Sequence, residues 1–459
     1  MDQPQPRDTS VWGDEIDIAA RVLSWATDRL TRQPDPHSTA QRADILRLEA
    51  GTTITGDGIG AESALDVFDR VLAPATRAQA DPLNLAYIPN APTQAAIAFD
   101  IAASAANVFA GYWESGAGAI HAENEALGWI RELLGWPTTA GGTFVAGGTS
   151  GNLSALHAAR THAWNRLGER PQGGWAIACA ASAHSSIRSA ARVLDVDVIE
   201  LPTSNDGRLT GQGLADALAA RPGLFAVVAS AGSTNAGIVD DLASLSKACV
   251  ELDIWLHVDG AYGGAALAAP SVRHLFSGIE NANSFIVDPH KWLFAPYDSC
   301  ALLYRDTQLA KNAHSQTAHY LDNVDREQTN PSDLAIQLSR RARGLPFWFS
   351  LATHGTKKYS TAVEISLTNA RQVADYINGS NHLSLVAEPM LSIVLFEVPG
   401  WSDDDYQAWS STQSQNGRIL CIPTKWEGRT VLRLAFVNPR TDATTVTQIL
   451  DEIADWPVH

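Results

Sequence analysis

Short apolar runs alternate with stretches of helical spacing through the middle of the chain. Six runs of four to seven residues, rich in Val, Ile, Leu and Ala, are separated by segments in which apolar residues recur every three or four positions. Such alternation predicts a mostly parallel sheet covered by helices on both faces. The predicted strands are residues 175–180, 196–201, 224–230, 254–258, 284–287 and 301–304.

Helical patterns lie on both sides of this region. They cover residues 12–31, 61–72, 93–109, 121–134 and 153–164 before or at its start, and residues 332–355 after it. Residues 85–92 are rich in proline, which predicts an extended loop. The polar, aperiodic residues 314–331 predict a mobile loop. The last hundred residues add two helical patterns and strand-like runs at 391–398, 418–423 and 430–438.

These patterns predict an α/β protein in three parts. Residues 1–80 form an N-terminal helical segment whose apolar face needs a cover, which we expect to be a second subunit. Residues 81–355 form a large α/β domain with a mostly parallel central sheet. Residues 356–459 form a small C-terminal α+β domain.

Composition and charge exclude several classes of partner. The 33 basic and 50 acidic residues give a net charge of −17, which argues against nucleic acid or an anionic membrane as the main partner. No run of 18 apolar residues occurs and no signal peptide is evident, so we expect a cytoplasmic protein. The four cysteines are far apart and form no CxxC pair, which favours buried thiols over a zinc site.

Lys291 is the first candidate for chemistry. It follows the apolar run 284–287 within the stretch Asp288-Pro-His-Lys-Trp292, and further apolar residues come after it. Apolar surroundings disfavour the ammonium form, so we expect an amine that is nucleophilic towards a carbonyl. The alternative is a lysine at a strand end whose stem packs on apolar surface while its charge reaches water.

Two further features extend this hypothesis. The stretch Gly147-Gly-Thr-Ser-Gly-Asn152 precedes a helix, and glycines with a helix N-terminus can hold a phosphate, although a plain tight turn has the same pattern. Asp259 ends the run 254–258, where a buried carboxylate needs a cationic or donor partner. A lysine, a phosphate cradle and a carboxylate for a protonated pyridine nitrogen together match pyridoxal phosphate.

With these residues in place, the chain resembles the fold-type I pyridoxal phosphate-dependent decarboxylases of the group that includes aromatic amino acid and glutamate decarboxylases. The similarity covers about residues 80–440. The motifs that carry it, in the family's order, are Gly147-Gly-Thr-Ser-Gly-Asn152, Ala183-His-Ser-Ser186, Ser230-Ala-Gly-Ser-Thr234, His257-Val-Asp-Gly-Ala-Tyr262, Asp288-Pro-His-Lys-Trp292 and Leu432-Arg-Leu-Ala-Phe-Val-Asn-Pro-Arg440.

The resemblance implies a role for each matching residue. Lys291 would carry pyridoxal 5′-phosphate as a Schiff base, and Asp259 would pair with the ring nitrogen. His184 would stack on one face of the ring and Ala261 would lie against the other. The expected phosphate contacts are Thr149, Ser150 and His290, and Thr234 would approach the phenolic oxygen or the substrate carboxylate. The resemblance also implies a homodimer and loss of carbon dioxide from a small L-amino acid to give an amine.

The chain departs from the family pattern at one position. Related decarboxylases carry a proton-donating tyrosine in the loop before residues 340–341, but residues 328–339 contain none and the nearest is Tyr320. We therefore expect Tyr320 to be the catalytic acid. The alternatives are His184 or Tyr87 as the acid, and a different outcome of the reaction: an aldehyde-forming oxidative deaminase, a carbon–carbon lyase or an aminotransferase.

The substrate is open at this stage. Tyr87, Trp113 and Arg433 are candidate substrate contacts, and two of them are aromatic. A non-catalytic, cofactor-binding regulatory protein is a further alternative, against which the intact Lys291 and Asp259 argue. A nucleotide-binding dehydrogenase is disfavoured because the chain has no GxGxxG turn.

Overall fold

A seven-stranded sheet forms the centre of the computed structural model, which describes residues 16–32, 41–315, 328 and 330–457. The strand order is β1-β7-β6-β5-β4-β2-β3. β7 is antiparallel to both of its neighbours, and the other six strands run in one direction. The strands are β1 (Gly141–Val145), β2 (Ala176–Ala180), β3 (Asp197–Leu201), β4 (Leu224–Ser230), β5 (Trp255–Asp259), β6 (Ser284–Val287) and β7 (Cys300–Tyr304).

The six predicted strands are confirmed, each within one residue at either end. The fully buried β2, β4, β5, β6 and β7 explain why continuous apolar runs marked them. β1 was not predicted, because glycine is rare in strands. Its Gly142 lies so close to β7 that an added Cβ would be 2.0 Å from the carbonyl oxygen of Leu302. Only glycine fits that pairing.

Helices cover both faces of this sheet and precede it in the chain. The prediction for residues 153–164 is extended by the structure, since that helix begins at Gly148 and places Thr149 and Ser150 in its first turn. The helices up to the end of the sheet are α1 (Ile16–Thr31), α2 (Ala43–Ala50), α3 (Ala61–Val67), α4 (Gln94–Ala106), α5 (Trp113–Leu134), α6 (Gly148–Leu167), α7 (Ser185–Val193), α8 (Leu214–Ala220), α9 (Leu242–Leu252) and α10 (Thr307–His314).

The predicted helix over residues 332–355 is wrong in its first half. The structure has a short 3-10 turn at Pro331–Asp333, an irregular segment, and then α11 (Leu345–His354). Pro346 explains the start, because proline is accepted in the first turn of a helix and disrupts its interior. The arginines of the irregular segment are instead held by ion pairs, as Arg340 is by Glu123 at 2.7 Å with both side chains buried.

A second, antiparallel sheet follows, with the order β10-β11-β9-β8. Its strands are β8 (Ser384–Leu385), β9 (Ile393–Glu397), β10 (Ile422–Trp426) and β11 (Arg429–Ala435), and its helices are α12 (Thr356–Gly379), α13 (Asp403–Gln415) and α14 (Ala443–Asp451). The strand expected at residues 418–423 is displaced to β10. We propose a domain boundary at Gly355, between α11 and α12.

The N-terminal prediction is confirmed for α1 and α3, whereas α2 was not predicted. Residues 1–15 and most of the expected loop at 314–331, including Tyr320, lie outside the described residues. The four cysteines are buried and free, as predicted. None of the helices in the described ranges combines the length and apolarity needed to cross a membrane.

Candidate active site

A pocket of about 320 Å³ lies beyond the carboxyl ends of the central strands. This is the edge at which parallel α/β sheets bind their ligands. The loops after β1, β2, β5 and β6 reach it, so residues far apart in sequence meet there. Its lining is Ala146, Gly147, Gly148, Thr149, Asn152, His184, Ser186, Asp259, Ala261, Asp288, His290, Lys291, Tyr297 and Asp298.

Lys291 stands in this pocket, but its charge state differs from the sequence-based expectation. Its Nζ lies 2.8 Å from Oδ2 of Asp288, a carboxylate with a side chain that is 2% exposed. Burial acts against the ammonium form, yet the charges of Asp288 and Asp259 outweigh it, and the pKa of Lys291 is raised above its ordinary value. The expectation that the surroundings disfavour the charged lysine is therefore wrong, because it left out the carboxylate three residues earlier.

The glycine-rich turn forms a cradle at the start of α6. The first N–H groups of a helix have no partner within it, and α6 has no side-chain cap at Gly147. A Cβ added to Gly148 would lie 3.2 Å from both the Cβ of Ala261 and Oδ2 of Asp288. Glycine thus keeps open a space where an anion can approach backbone N–H groups.

Asp259 ends β5 with both carboxylate oxygens engaged. Its Oδ1 accepts the backbone N–H of Ala261 at 3.0 Å, and its Oδ2 accepts Nδ2–H of Asn152 at 2.9 Å. Both oxygens of Asp259 therefore act as hydrogen-bond acceptors. Such a group suits a protonated ring nitrogen.

Two histidines border the pocket from different elements. His184 precedes α7, and its Nδ1 accepts the backbone N–H of Ser186 at 3.2 Å. His290 is buried, and burial lowers its pKa although the negative charge of Asp288 acts to raise it. Its Nδ1 lies 3.0 Å from the backbone nitrogen of Ser299, and its ring centroid lies 4.8 Å from that of Tyr297.

The pocket brings together six of the predicted cofactor residues, namely Thr149, His184, Asp259, Ala261, His290 and Lys291. It does not include Ser150, Thr234, Tyr87, Trp113 or Arg433 among its lining residues. The predictions for these five stay predictions. Among the described residues, no cluster of His, Cys, Asp and Glu is arranged to hold a metal ion.

Arg433 uses its hydrogen-bond donors within the chain. Its guanidinium donates to the backbone carbonyls of Thr234 at 2.6 Å, Tyr87 at 2.6 Å and Asn235 at 3.1 Å. Burial lowers its pKa to about 10. In this structure Arg433 therefore ties β11 to two loops of the large domain.

Sequence reasoning missed five polar residues of the pocket: Asn152, Ser186, Asp288, Tyr297 and Asp298. Three of them stand in motifs that were recognised, but no pattern there distinguishes a pocket residue from its neighbours. Tyr297 comes six residues after Lys291, and a positioned hydroxyl near a candidate nucleophile was the available signal. Arg343 supports this segment through Asp298, with Nε 3.0 Å from Oδ1.

The residues present fit pyridoxal phosphate. An amine, a carboxylate with fixed hydrogen bonds and a cradle that a Cβ would fill border one pocket. In addition, Oδ1 of Asp288 is buried and has no hydrogen-bond partner among the described residues. Polar atoms of this kind indicate a site that a ligand completes.

Comparison with known proteins agrees with this geometry. A family model described as the pyridoxal-dependent decarboxylase conserved domain matches residues 59–399. An aromatic-L-amino-acid decarboxylase of Bacillus atrophaeus is 30% identical over 438 residues, which cover 91% of this chain and 90% of that protein. The 4-hydroxyphenylacetaldehyde synthase of Rhodiola rosea is 26% identical over 328 residues, which cover 68% of this chain and 67% of that one. The crystal structure of Oryza sativa TDC with PLP and tryptamine superposes with a TM-score of 0.88, at 24% identity over 99% of each chain.

Proposed function

This chain belongs to the pyridoxal-dependent decarboxylase family, a family of carboxy-lyases that use pyridoxal phosphate, and we propose that it removes the α-carboxylate of an L-amino acid as carbon dioxide and releases the amine. The observation that carries the proposal is the meeting of Lys291, Asp259 and the α6 cradle in one pocket.

We assign cofactor binding to residues on three sides of the pocket. The N–H groups at the start of α6, with the hydroxyl of Thr149, would bind the phosphate. Asp259 would hold the proton on the ring nitrogen, with its carboxylate oriented by the two hydrogen bonds that it accepts. Lys291 would bind the cofactor covalently through Nζ. His184 and Ala261 would restrict the ring from its two faces.

The chain's own work is to orient the substrate and to handle protons. When bound, pyridoxal phosphate supplies an electron sink for the pair left as the bond to the carboxylate breaks. A proton must then reach the α-carbon, and Tyr297 is the tyrosine that lines the pocket among the described residues. Burial raises the pKa of Tyr297 against the opposing charge of Lys291, so its hydroxyl holds its proton near neutral pH. We assign Tyr297 as the candidate acid beside Tyr320.

For the substrate we propose an aromatic L-amino acid. The support is the 30% identity, over nine-tenths of both chains, to a relative named for that activity. Tyr297, with its ring half exposed at the pocket, is an aromatic surface that a flat side chain can pack against.

A second outcome has its own support. The stretch 328–339 lacks the tyrosine that the family uses as acid, and the chain is similar to a 4-hydroxyphenylacetaldehyde synthase. If no acid protonates the α-carbon in time, dioxygen would take two electrons from it and become hydrogen peroxide. Water would then release an aldehyde and ammonia instead of an amine.

One experiment separates these outcomes. The purified holoenzyme is incubated under air with each proteinogenic L-amino acid, and carbon dioxide, amine, aldehyde and hydrogen peroxide are measured. The proposal expects carbon dioxide and amine in equal amounts from an aromatic amino acid. Aldehyde with hydrogen peroxide would favour the second outcome, and no carbon dioxide from any amino acid would refute both.

The attachment residue is tested independently of the substrate. Borohydride reduction of the holoenzyme followed by peptide mapping should place the label on Lys291. The variant Lys291→Ala should take up no label, whereas Lys311→Ala on α10 should be labelled as the wild type is. A label on any other lysine would refute the assignment.

We further propose a homodimer. On α1, the apolar side chains of Ile18, Val22 and Leu23 are 40%, 45% and 46% exposed, and an apolar helix face of this kind needs a cover. Sedimentation should give twice the 49.1 kDa mass of the chain. The variant Val22→Asp should shift the protein towards monomer, whereas a fully active wild-type monomer would refute the proposal.

A further inference from the structure

A buried chain of hydrogen bonds leads from the first residue of β5 to Asp259, the pocket carboxylate at the end of the same strand. It begins at Trp255, whose indole N–H donates to Oγ of Ser284 at 2.8 Å, and the same oxygen lies 2.8 Å from Nδ1 of His257. Nε2 of His257 lies 2.8 Å from Oδ1 of Asn152, whose Nδ2–H donates to Oδ2 of Asp259 at 2.9 Å. All five side chains are more than nine-tenths buried.

Asn152 also starts a second branch, towards His184. Its Nδ2 donates to Oγ of Ser186 at 2.9 Å, and that oxygen lies 2.8 Å from Nδ1 of His184. The backbone N–H of Ser186 donates to the same ring nitrogen at 3.2 Å. The two groups that border the cofactor pocket, Asp259 and His184, are thus joined through a single amide.

The chemistry of the two ends sets the direction of every bond. An indole nitrogen only donates, and an ionised carboxylate only accepts. Asn152 must therefore turn its NH₂ group to Asp259, which leaves its carbonyl oxygen facing His257. Because that oxygen only accepts, Nε2 of His257 carries a proton.

The protonation state of the other ring nitrogen of His257, Nδ1, follows from the burial of the ring. The ring is fully buried, and burial lowers its pKa to about 4 despite the charge of Asp259. The ring is therefore neutral at pH 7, and Nδ1 is an acceptor for the hydroxyl of Ser284. That hydroxyl accepts from Trp255 and donates to His257, so its hydrogen-bonding capacity is consistent with both contacts.

The same reasoning applies to the second branch. Ser186 accepts the second N–H of Asn152, so its own hydroxyl proton is directed at Nδ1 of His184. Nδ1 then receives two donors and carries no proton. The proton of a neutral His184 ring sits on Nε2, outside the network.

We propose that Asn152 is a positioning residue that fixes the protons of the site, keeping Asp259 a hydrogen-bond acceptor and, through Ser186, keeping Nδ1 of His184 unprotonated. Trp255, Ser284 and His257 hold the Asn152 amide in the required orientation. The roles of Asp259 and His184 rest on the proposed function, but the proton positions do not depend on which reaction is catalysed.

Neutron diffraction from deuterated crystals of the holoenzyme tests the proton positions directly. We expect deuterium on Nε2, and none on Nδ1, of both His257 and His184. Deuterium on Nδ1 of either ring would overturn the inference. If these positions are found but no amino acid yields carbon dioxide, the proposed function fails and this inference stands.

Substitution tests the consequence through cofactor affinity, measured by absorption titration of the cofactor-free protein. Asn152→Ala should weaken pyridoxal phosphate binding about tenfold to a hundredfold, as expected for a lost hydrogen bond to a charged group, and Ser284→Ala should weaken it less. The control is Ser366→Ala, which removes another fully buried serine hydroxyl, one that donates to the carbonyl of Ala362 within its own helix. An unchanged affinity in Asn152→Ala, or an equal loss in the control, would contradict the proposal.

Discussion

Nζ of Lys291 and Oδ2 of Asp288 lie 2.8 Å apart in a pocket where Asp288 is almost completely buried. The pair reverses the effect that burial alone would have, because the carboxylate favours the ammonium form and raises the pKa of the lysine. An amine must lose its proton before it can add to an aldehyde. Asp288 is therefore placed both to hold Lys291 in position and to receive that proton.

Replacing Asp288 should change how the cofactor-free protein takes up pyridoxal phosphate. In Asp288→Asn the burial of Lys291 acts without its main opposing charge, so the pKa of the amine falls and more of it is neutral at pH 7. The rate of cofactor attachment, followed by absorbance from pH 6 to pH 10, should rise at lower pH than in the wild type. The control is Asp298→Asn, which changes another carboxylate of the pocket, the one that pairs with Arg343. It should leave the pH midpoint of the attachment rate unchanged.

Asp259→Asn should fold and lose most activity. The amide can still accept the N–H of Ala261, but it cannot balance a positive ring nitrogen. Removing one member of a buried charge pair costs about 3–5 kcal/mol, which corresponds to a loss in kcat/KM on the order of 10²- to 10⁴-fold. Circular dichroism checks the fold and steady-state kinetics the activity. Turnover near that of the wild type, with cofactor bound, would contradict the assigned role.

Tyr297→Phe should lower the yield of amine. Loss of a positioned general acid typically costs about 10²- to 10⁴-fold in rate. The measurement is amine and aldehyde formation under air, because a slower protonation leaves more time for oxidation and should raise the share of aldehyde. Tyr376→Phe is the control, because the hydroxyl of Tyr376 on α12 donates to Asp451 at 2.7 Å and Tyr376 is absent from the pocket lining. Tyr320→Phe runs in parallel, and a loss confined to that variant would return the role to Tyr320.

The central sheet could be predicted because its strands are buried on both faces and therefore consist of apolar runs. The errors lie where tertiary contacts or turn chemistry decide the backbone. The strand expected at 418–423 belongs at β10, which turns into β11 through Glu427 and Gly428, both with positive φ. A two-residue turn of that kind is a hairpin signal that strand propensity alone does not register.

The site was predictable where one residue carries its own signal, as a lysine at a strand exit does. Its supporting network was not, because Asn152, His257 and Ser284 are separated by 105 and 27 positions and meet only once the sheet has formed. The predicted charge state of Lys291 was wrong for a related reason. The direction of its pKa shift depends on the distance to Asp288, which composition and spacing do not determine.

The last prediction concerns acid stability and rests on His314 at the end of α10. Its Nε2 donates to the carbonyl of Ser154 at 3.1 Å, and its ring centroid lies 5.0 Å from that of His157. Burial, with the charge of His157, lowers the pKa of His314 to about 4, whereas the unfolded chain keeps about 6.5. The unfolded state then binds more protons between these values, so stability is fully present above about pH 6.5 and falls as the pH drops towards 4. The full change in the free energy of unfolding is about 3 kcal/mol.

Urea unfolding at fixed protein concentration should show most of this loss of stability between pH 7 and pH 4.5. His314→Gln should reduce the slope of the unfolding free energy against pH, and His121→Gln on the exposed side of α5 is the control. An identical slope in wild type and His314→Gln would show that this histidine does not contribute.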